Sequence, residues 1–364
     1  MSNKISAGQA GVIAFILVLS NKILLLPSLL YQFVSADGLF VMLGLFLIDL
    51  ATLFVFVKMK RAYPNDKLVD VLNKKLSPFF SKIIYLILLT FFFFKVVLTF
   101  SIAYLYFQQQ VYQDEFIPIA FICAFPLACF AVIKGLRPLA RTIELFYYIL
   151  IAGVVICLSF SLFTTLNSPI LFTSSIKDLG LTMYKHVFTF GDFIFLFLVM
   201  DKIEMQGKTS KKIYWNAILG MILVLALYAI FYCKYHITAF MHNNALSDVV
   251  VFTVEFNAFG RLDVIAMVTI CFITIFQVNI FSYAVCDTLQ VLFPKMTNKF
   301  SCGVFIVSYL LLYELYLGKY EVLIQWVNGW EAVLGVVAGY VLPIIFFIIV
   351  MVGRKNEKQI QEST

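Results

Sequence analysis

Charged side chains are scarce in this sequence. Asp, Glu, Lys and Arg make up 13% of its 364 residues and hydrophobic residues 62%, whereas soluble domains are roughly 25% charged. The three histidines form no HExxH pattern, and neither GxxxxGK[ST] nor GxGxxG occurs. These absences exclude an ordinary soluble domain and argue against a metal- or nucleotide-dependent enzyme. We therefore expect no catalytic residues, no metal site and no cofactor.

Paired cysteines and a basic stripe are also absent. The seven cysteines lie in or beside apolar runs without a CxxC pair, which is typical of small buried hydrophobic residues. The net charge of +7 is spread over short connections between apolar segments. This distribution indicates membrane topology rather than a nucleic-acid partner.

Long apolar runs dominate the chain. A helix needs about 20 apolar residues to cross a membrane, and ten such segments are present, with no room for a sizeable soluble domain. The sequence therefore predicts an all-α polytopic protein embedded in lipid, with residues 1–364 as a single transmembrane domain. The segments span approximately 8–34, 38–58, 79–108, 116–134, 137–163, 180–204, 213–240, 258–292, 301–318 and 326–352. The first is longer than a signal peptide and lacks a cleavage site, so we expect it to be retained.

The distribution of basic residues predicts the orientation. One set of alternate connections contains 19 lysines and arginines, and the opposite set contains three, Lys177, Arg261 and Lys319. Because cytoplasmic connections carry the Lys/Arg excess, we expect both termini to be cytoplasmic, with 353–364 as a cytoplasmic tail.

Two of the ten segments contain polar or glycine residues near their middle. The first has Ser20, Asn21 and Lys22, and the sixth has Thr189, Gly191 and Asp192. Such residues favour an unwound segment that lines a cavity. Interruptions in the first and sixth helices are typical of a five-plus-five inverted repeat, here 8–163 and 180–352, with a binding site between the broken helices.

Lys22 is the least expected residue, because a lysine inside the bilayer is costly unless it is paired or hydrated. It has two interpretations that do not exclude each other, the structural partner of Asp49 in the second segment and a fixed cation at the broken helix. In the second case it binds a ligand carboxylate or replaces the sodium ion of ion-coupled transporters. Snorkelling to the membrane surface is a third alternative.

The sixth segment offers its own candidates. Asp192 follows Gly191 at the expected start of a half-helix, where it either caps free N–H groups or receives a ligand ammonium or a proton. Thr189 and the backbone around Gly191 bind a zwitterion without a charge, since glycine permits close approach.

Four other polar residues stand out. Lys95 is a second buried cation, whose partner the sequence does not name. Gln277 belongs to a polar stripe on the eighth segment and either bonds between helices or lines the cavity. Arg141 and Glu144 share a helical face, which predicts a structural or gating pair.

Five short stretches carry a family resemblance. They are KISAGQ at 4–9, ILLLP at 23–27, GLRPLARTIE at 135–144, FTFGDF at 188–193 and FGRLD at 259–263. In this order, on ten segments, the chain resembles the B subunits of spore nutrient-germinant receptors, in the amino acid, polyamine and organocation transporter superfamily. The resemblance covers essentially the whole chain.

The resemblance implies a protein of the spore inner membrane that works with an A subunit and a lipoprotein C subunit. It would sense a small nutrient, commonly an amino acid, and trigger germination. The ligand would lie between the broken helices, at Ser20, Asn21, Thr189, Phe190 and Gly191. The alternative is a permease coupled to protons or sodium, in which Lys22 or Asp192 carries the coupling charge.

Overall fold

The computed structural model describes residues 4–110, 132–162, 173–205, 209–251, 263–312 and 329–351. Within these ranges, six helical segments are long and apolar enough to cross a membrane: Leu26–Ala62, Pro78–Phe107, Leu136–Ser161, Ser210–Met241, Asp263–Leu292 and Glu331–Met351. Their number, length and composition make the chain a mostly helical, multi-pass membrane protein.

The helices follow the predicted apolar segments closely. In chain order they are α1 (Ala7–Leu19), α2 (Leu26–Val34), α3 (Gly38–Ala62), α4 (Leu68–Lys75), α5 (Pro78–Gln110), α6 (Leu136–Ser161), α7 (Ile176–His186), α8 (Ile194–Leu198), α9 (Ser210–Tyr235), α10 (Ala245–Val251), α11 (Asp263–Leu292), α12 (Asn298–Leu312) and α13 (Glu331–Met351). Helices α4 and α10 lie in predicted connections. The predicted segment 116–134 falls almost wholly outside the described residues.

The first predicted segment is interrupted at its polar residues. Helix α1 ends at Leu19, a 3-10 turn spans Ser20–Ile23, and α2 begins at Leu26. The Ser20 hydroxyl donates to the Leu17 carbonyl, a local bond that competes with helical pairing. Pro27 has no N–H group to continue the ladder and is well placed in the first turn of a new helix. The predicted break is thus confirmed.

The sixth segment is interrupted as well. Helix α7 ends at His186, a 3-10 turn spans Val187–Thr189, and α8 begins at Ile194. Phe190 is extended, and Gly191 has a φ of +76°, a left-handed conformation that glycine adopts without steric cost. The chain therefore leaves its helical path at the glycine that the sequence singled out.

Both interruptions lie inside the helical assembly. Helix α1 packs along α9, and α5 packs along α11. The Ser20–Ile23 turn contacts α5, α9 and α11, and the first turns of α13 pack against Val187–Thr189. The unwound backbone is consequently covered by protein, as a low-dielectric membrane interior requires.

A short parallel strand pair joins the two broken segments at one end. Strand β1 (Ile5–Ser6) precedes α1, β2 (Ile203–Glu204) lies at the end of the sixth segment, and Ile5 pairs with Ile203. Ser6 and Gln9 form a reciprocal capping box at the start of α1, which satisfies two free N–H groups. The pair fixes the start of the first segment to the end of the sixth.

Candidate functional site

The two interruptions meet at a buried charge cluster. Lys22 Nζ lies 2.8 Å from Asp192 Oδ2, and Lys95 Nζ lies 2.5 Å from Asp192 Oδ1. The two lysines are fully buried and Asp192 is 2% exposed. One carboxylate from the sixth segment therefore holds an ammonium group from the first segment and another from α5. This geometry does not fit snorkelling of Lys22 to the membrane surface. It also does not fit a helix-capping role for the Asp192 side chain.

Backbone carbonyls complete each lysine's contacts. Lys22 Nζ donates to the Leu17 carbonyl (3.1 Å) at the end of α1, and Lys95 Nζ donates to the Phe190 carbonyl (3.0 Å) in the other break. An ammonium group has three N–H donors. Each lysine therefore uses two N–H groups in hydrogen bonds to described residues, and its third N–H has no assigned acceptor among them.

Asp49 lies beside the cluster without receiving Lys22. Its Oδ1 accepts the backbone N–H of Gly191 at 3.0 Å. The predicted Lys22–Asp49 pair is thus not formed: Lys22 pairs with Asp192, and Asp49 accepts a backbone N–H that the unwound sixth segment leaves without a helical partner. The two aspartates balance the two lysines in formal charge, which removes the cost of an unmatched buried charge.

The glycine at the break packs against the last helix. A Cβ atom on Gly191 would lie 2.8 Å from the Cα of Gly339, so the two backbones touch. Gly339 belongs to a π-helical turn, Val337–Val341, and its carbonyl accepts the Thr52 hydroxyl at 3.5 Å. Such turns are frequent at functional sites. Because a side chain at residue 191 would collide with Gly339, Gly191 is needed for helix packing as well as for its φ angle.

The neutral candidates lie in the same two interruptions as the cluster. The Asn21 amide donates to Thr99 Oγ1 (3.1 Å), which donates to the Lys95 carbonyl (2.8 Å). The Thr189 hydroxyl donates to the His186 carbonyl at 2.6 Å and closes the end of α7. Ser20, described above, bonds within its own turn. The structure thus brings Ser20, Asn21, Lys22, Thr189, Phe190, Gly191 and Asp192 together.

Aromatic rings cover both ammonium groups. Lys22 Nζ lies 4.9 Å from the centre of the Phe190 ring, and Lys95 Nζ lies 5.2 Å from Phe91 and 5.1 Å from Phe188. Aromatic faces attract cations at these distances, the more so where water is excluded. The rings favour retention of positive charge at a depth where lipid would disfavour it.

Gln277 is buried close to the cluster but not joined to it. It is 1% exposed, and neither its amide oxygen nor its nitrogen has a hydrogen-bond partner among the described residues. Phe281, one turn further along α11, approaches Lys95 Nζ at 5.9 Å. Because residues four apart share a helical face, Gln277 faces the same region. A buried, unpaired amide is costly, which fits a role in binding.

Arg141 and Glu144 lie away from the cluster and do not form the predicted pair. Both are exposed, and Glu144 Oε2 accepts the side-chain amide of Gln9 at 2.9 Å. The capping box presents the Gln9 side chain towards α6, where it reaches the carboxylate. Glu144 therefore links α6 to the start of α1.

Two contacts were missed by sequence reasoning. Thr99 lies four residues after Lys95 on the same face of α5, a spacing that would have indicated it. The other is at Lys202, near the end of the sixth predicted segment, whose Nζ lies 2.6 Å from Asp287 Oδ1 and 2.7 Å from the Tyr283 hydroxyl. This pair fastens the end of the sixth segment to α11, at the end of the molecule that carries the strand pair.

A sequence comparison identifies the family. The sequence model of a family described as "Spore germination protein" matches residues 4–318. The chain belongs to the spore germination protein family. No curated protein sequence matches it significantly.

Solved structures show which fold this spore germination protein has. A nucleobase-cation-symport-1 family transporter, closed with bromovinylhydantoin bound, matches with a TM-score of 0.64 at 13% identity, over 95% of this chain and 78% of that one. A Na+-coupled sialic acid symporter in a substrate-bound, outward-open state matches with a TM-score of 0.58 at 14% identity, over 93% and 80%. The manganese transporter of Eremococcus coleocola, in complex with an aromatic bis-isothiourea compound, gives 0.54 at 10% identity, over 95% and 84%. All three neighbours are described as transporters or symporters, and at 10–14% identity they show that this chain shares their fold.

Proposed function

We propose that this protein is a nutrient sensor subunit of a germinant receptor in the spore inner membrane. It binds a small molecule, an amino acid, at the midplane of the membrane and triggers germination through partner subunits. Family membership supports the germination role. The transporter fold and the facing helix breaks support small-molecule binding at this depth.

The observation that carries this proposal is the pair of fixed cations. Lys22 binds a carbonyl at the end of α1 and a carboxylate of the sixth segment, the kind of ligand set that holds a mobile coupling cation at broken helices. Here the cation is covalently attached. Ligand binding then needs no sodium ion, and no ion gradient is available through this position to drive accumulation, which favours sensing.

The ligand is held between the breaks. The remaining N–H donors of Lys22 and Lys95 take its carboxylate, while Asn21 and the backbone around Phe190 provide neutral contacts. Gln277 provides a further donor and acceptor from α11. The lysine, aspartate and backbone groups link the first segment, the sixth segment and α5. A ligand that rearranges these groups shifts the equilibrium between two conformations of the protein. The size of the shift is set by the difference between the ligand's affinities for the two conformations.

The architecture proposed for this function has ten transmembrane helices in two inverted repeats of five. Its support is the position of the breaks in the first and sixth predicted segments, together with the likeness to transporters. The same proposal places both termini in the cytoplasm, on the basis of the asymmetry in lysine and arginine.

Partner subunits complete the proposed receptor. The resemblance to B subunits implies an A subunit and a lipoprotein C subunit, which would receive the conformational change. Purification of the tagged chain from spores tests this part directly: we expect both subunits to be recovered with it in fixed ratio.

A proton- or sodium-coupled amino acid permease is the second candidate. It is favoured by the structural neighbours, which include a Na+-coupled symporter. In that case Lys22 or Asp192 would carry the coupling charge, and the ligand would cross the membrane.

Ligand binding with and without sodium tests the proposed function. The purified chain in detergent is titrated with labelled amino acids, sugars and nucleosides in sodium and in choline buffers. We expect saturable binding of one amino acid, with the same affinity in both buffers. A strict sodium requirement would contradict the fixed-cation argument and favour the permease.

A further inference from the structure

A fifth ionisable group is buried near the four that balance one another. Glu331, in the first turn of α13, is 2% exposed, and its Oε2 atom has no hydrogen-bond partner among the described residues. Lys22, Lys95, Asp49 and Asp192 already pair off in formal charge. Glu331 is therefore one carboxyl group more than the two buried lysines of this region balance in formal charge.

The packing of α13 directs Glu331 towards the helix breaks. Gly335, four residues later on the same face, is so close to the sixth segment that a Cβ atom would lie 2.7 Å from the Phe188 Cα. Trp330 packs edge-on against Phe94 of α5, with 4.6 Å between ring centres. Glu331 thus lies where α13 meets both α5 and the Val187–Thr189 turn.

Lys95 approaches the same turn from α5. It follows Phe94, and its Nζ lies 5.1 Å from the Phe188 ring, in the turn that Gly335 touches one helical turn after Glu331. Lys95 and Glu331 form no ion pair within 4 Å, since Lys95 is held by Asp192 and the Phe190 carbonyl. A lysine and a buried carboxyl group consequently lie near the Phe188 turn, with one lysine N–H and one carboxyl oxygen unassigned among the described residues.

We infer that Glu331 binds the ammonium group of the ligand, while Lys95 binds its carboxylate. A buried carboxyl without a partner is costly, and an intramembrane ionisable residue marks a substrate site by default. A zwitterion satisfies both free positions at once and adds no net charge. The inference rests on the proposed function and narrows it: the ligand must carry an amino group, so sugars and simple carboxylic acids are excluded.

The test compares ligands that differ in one charged group. Wild type is first screened in detergent with the twenty amino acids and with sugars. Wild type and Glu331→Gln are then titrated with two matched sets of compounds. The first is L-alanine, propionate and ethylamine, and the second is L-leucine, 4-methylpentanoate and 3-methylbutylamine. Charge-assisted hydrogen bonds are worth roughly 1.5–3 kcal/mol, which corresponds to about a 10- to 100-fold loss of affinity. We expect this loss for the amino acid that binds, and no change for its deaminated analogue.

Thermal unfolding separates this role from a structural one. Since Glu331→Gln removes an unpaired buried carboxyl, we expect its melting temperature to equal or exceed that of wild type. Ser81→Ala is the matched control, because Ser81 Oγ is also buried without a partner on α5 but lies about four turns before Lys95. It should leave affinity unchanged.

Three results would overturn the inference. Unchanged affinity of Glu331→Gln for the bound amino acid would remove Glu331 from the site, while leaving the proposed function intact. Binding of a sugar instead of an amino acid would refute the ligand class, and a marked fall in melting temperature would indicate a structural carboxylate. If wild type binds no compound of the panel, the proposed function itself fails, and the inference with it.

Discussion

Replacing Asp192 by asparagine should destabilise the protein more than replacing either lysine by methionine. The carboxylate contacts Lys22 at 2.8 Å and Lys95 at 2.5 Å. At an effective dielectric constant of ~20, each contact corresponds to roughly 6 kcal/mol of gross attraction. Most of this offsets the cost of burying the charges, but removing one partner of a buried pair still costs about 3–5 kcal/mol. Asp192→Asn leaves two fully buried ammonium groups without their shared partner.

The lysine variants provide the matched comparison. In Lys22→Met or Lys95→Met, Asp192 keeps one ammonium group, and methionine fills similar apolar space, so each should lose less stability. The double variant Asp192→Asn with Lys95→Met should recover part of the loss, since it removes one of the two stranded charges. This coupling is what a double-mutant cycle measures.

The assay is thermal unfolding of the purified variants in one detergent, followed by intrinsic fluorescence, with size-exclusion profiles to show that each variant is folded at the start. The order expected is wild type highest, the single lysine variants next, and Asp192→Asn lowest. A melting temperature of Asp192→Asn equal to that of wild type would refute the argument that both lysines depend on this shared carboxylate.

Substitutions at Lys22, Gly191 and Lys202 give three further tests. Lys22→Ala should bind ligand weakly, or only in sodium buffer, because a mobile cation must then replace the ammonium; unchanged, sodium-independent binding would contradict this. Gly191→Ala should lose about 1–2 kcal/mol from its left-handed φ alone, and more from the Cβ atom 2.8 Å from the last helix. Gly180→Ala, whose Cβ would meet nothing within 4 Å, should be neutral or stabilising in the same unfolding assay. Lys202→Met should release the sixth segment from Asp287 and speed labelling of cysteines introduced on α11 beside the pair; equal labelling rates would argue against this fastening.

Several features could be predicted because they depend on local sequence. Apolar length fixed the helical segments to within a few residues at most of their ends. Polar residues at 20–22 and the glycine at 191 indicated both breaks, since such residues weaken a helix whatever its packing partners are. A lysine in an apolar segment also predicts a buried partner, although it does not identify that partner.

The partners themselves could not be predicted. Lys22 and Asp192 are 170 residues apart, so their pairing depends on which helices face one another. Asp49 and Asp192 are equally good partners for Lys22 by sequence alone, and the packing of the helices decides between them. The close contact between Gly191 and Gly339 likewise joins residues far apart in the sequence, so it depends on how α13 packs against the sixth segment.

The most direct test of the central claim is ligand stoichiometry in liposomes. The purified chain is reconstituted, a labelled amino acid that binds in detergent is added, and bound plus internal label per protein molecule is followed over time. Sodium and pH gradients are imposed in parallel samples. A sensor with fixed cations predicts saturation near one ligand per protein, whether or not a gradient is present. Accumulation well beyond one, driven by either gradient, would contradict the account and identify a permease.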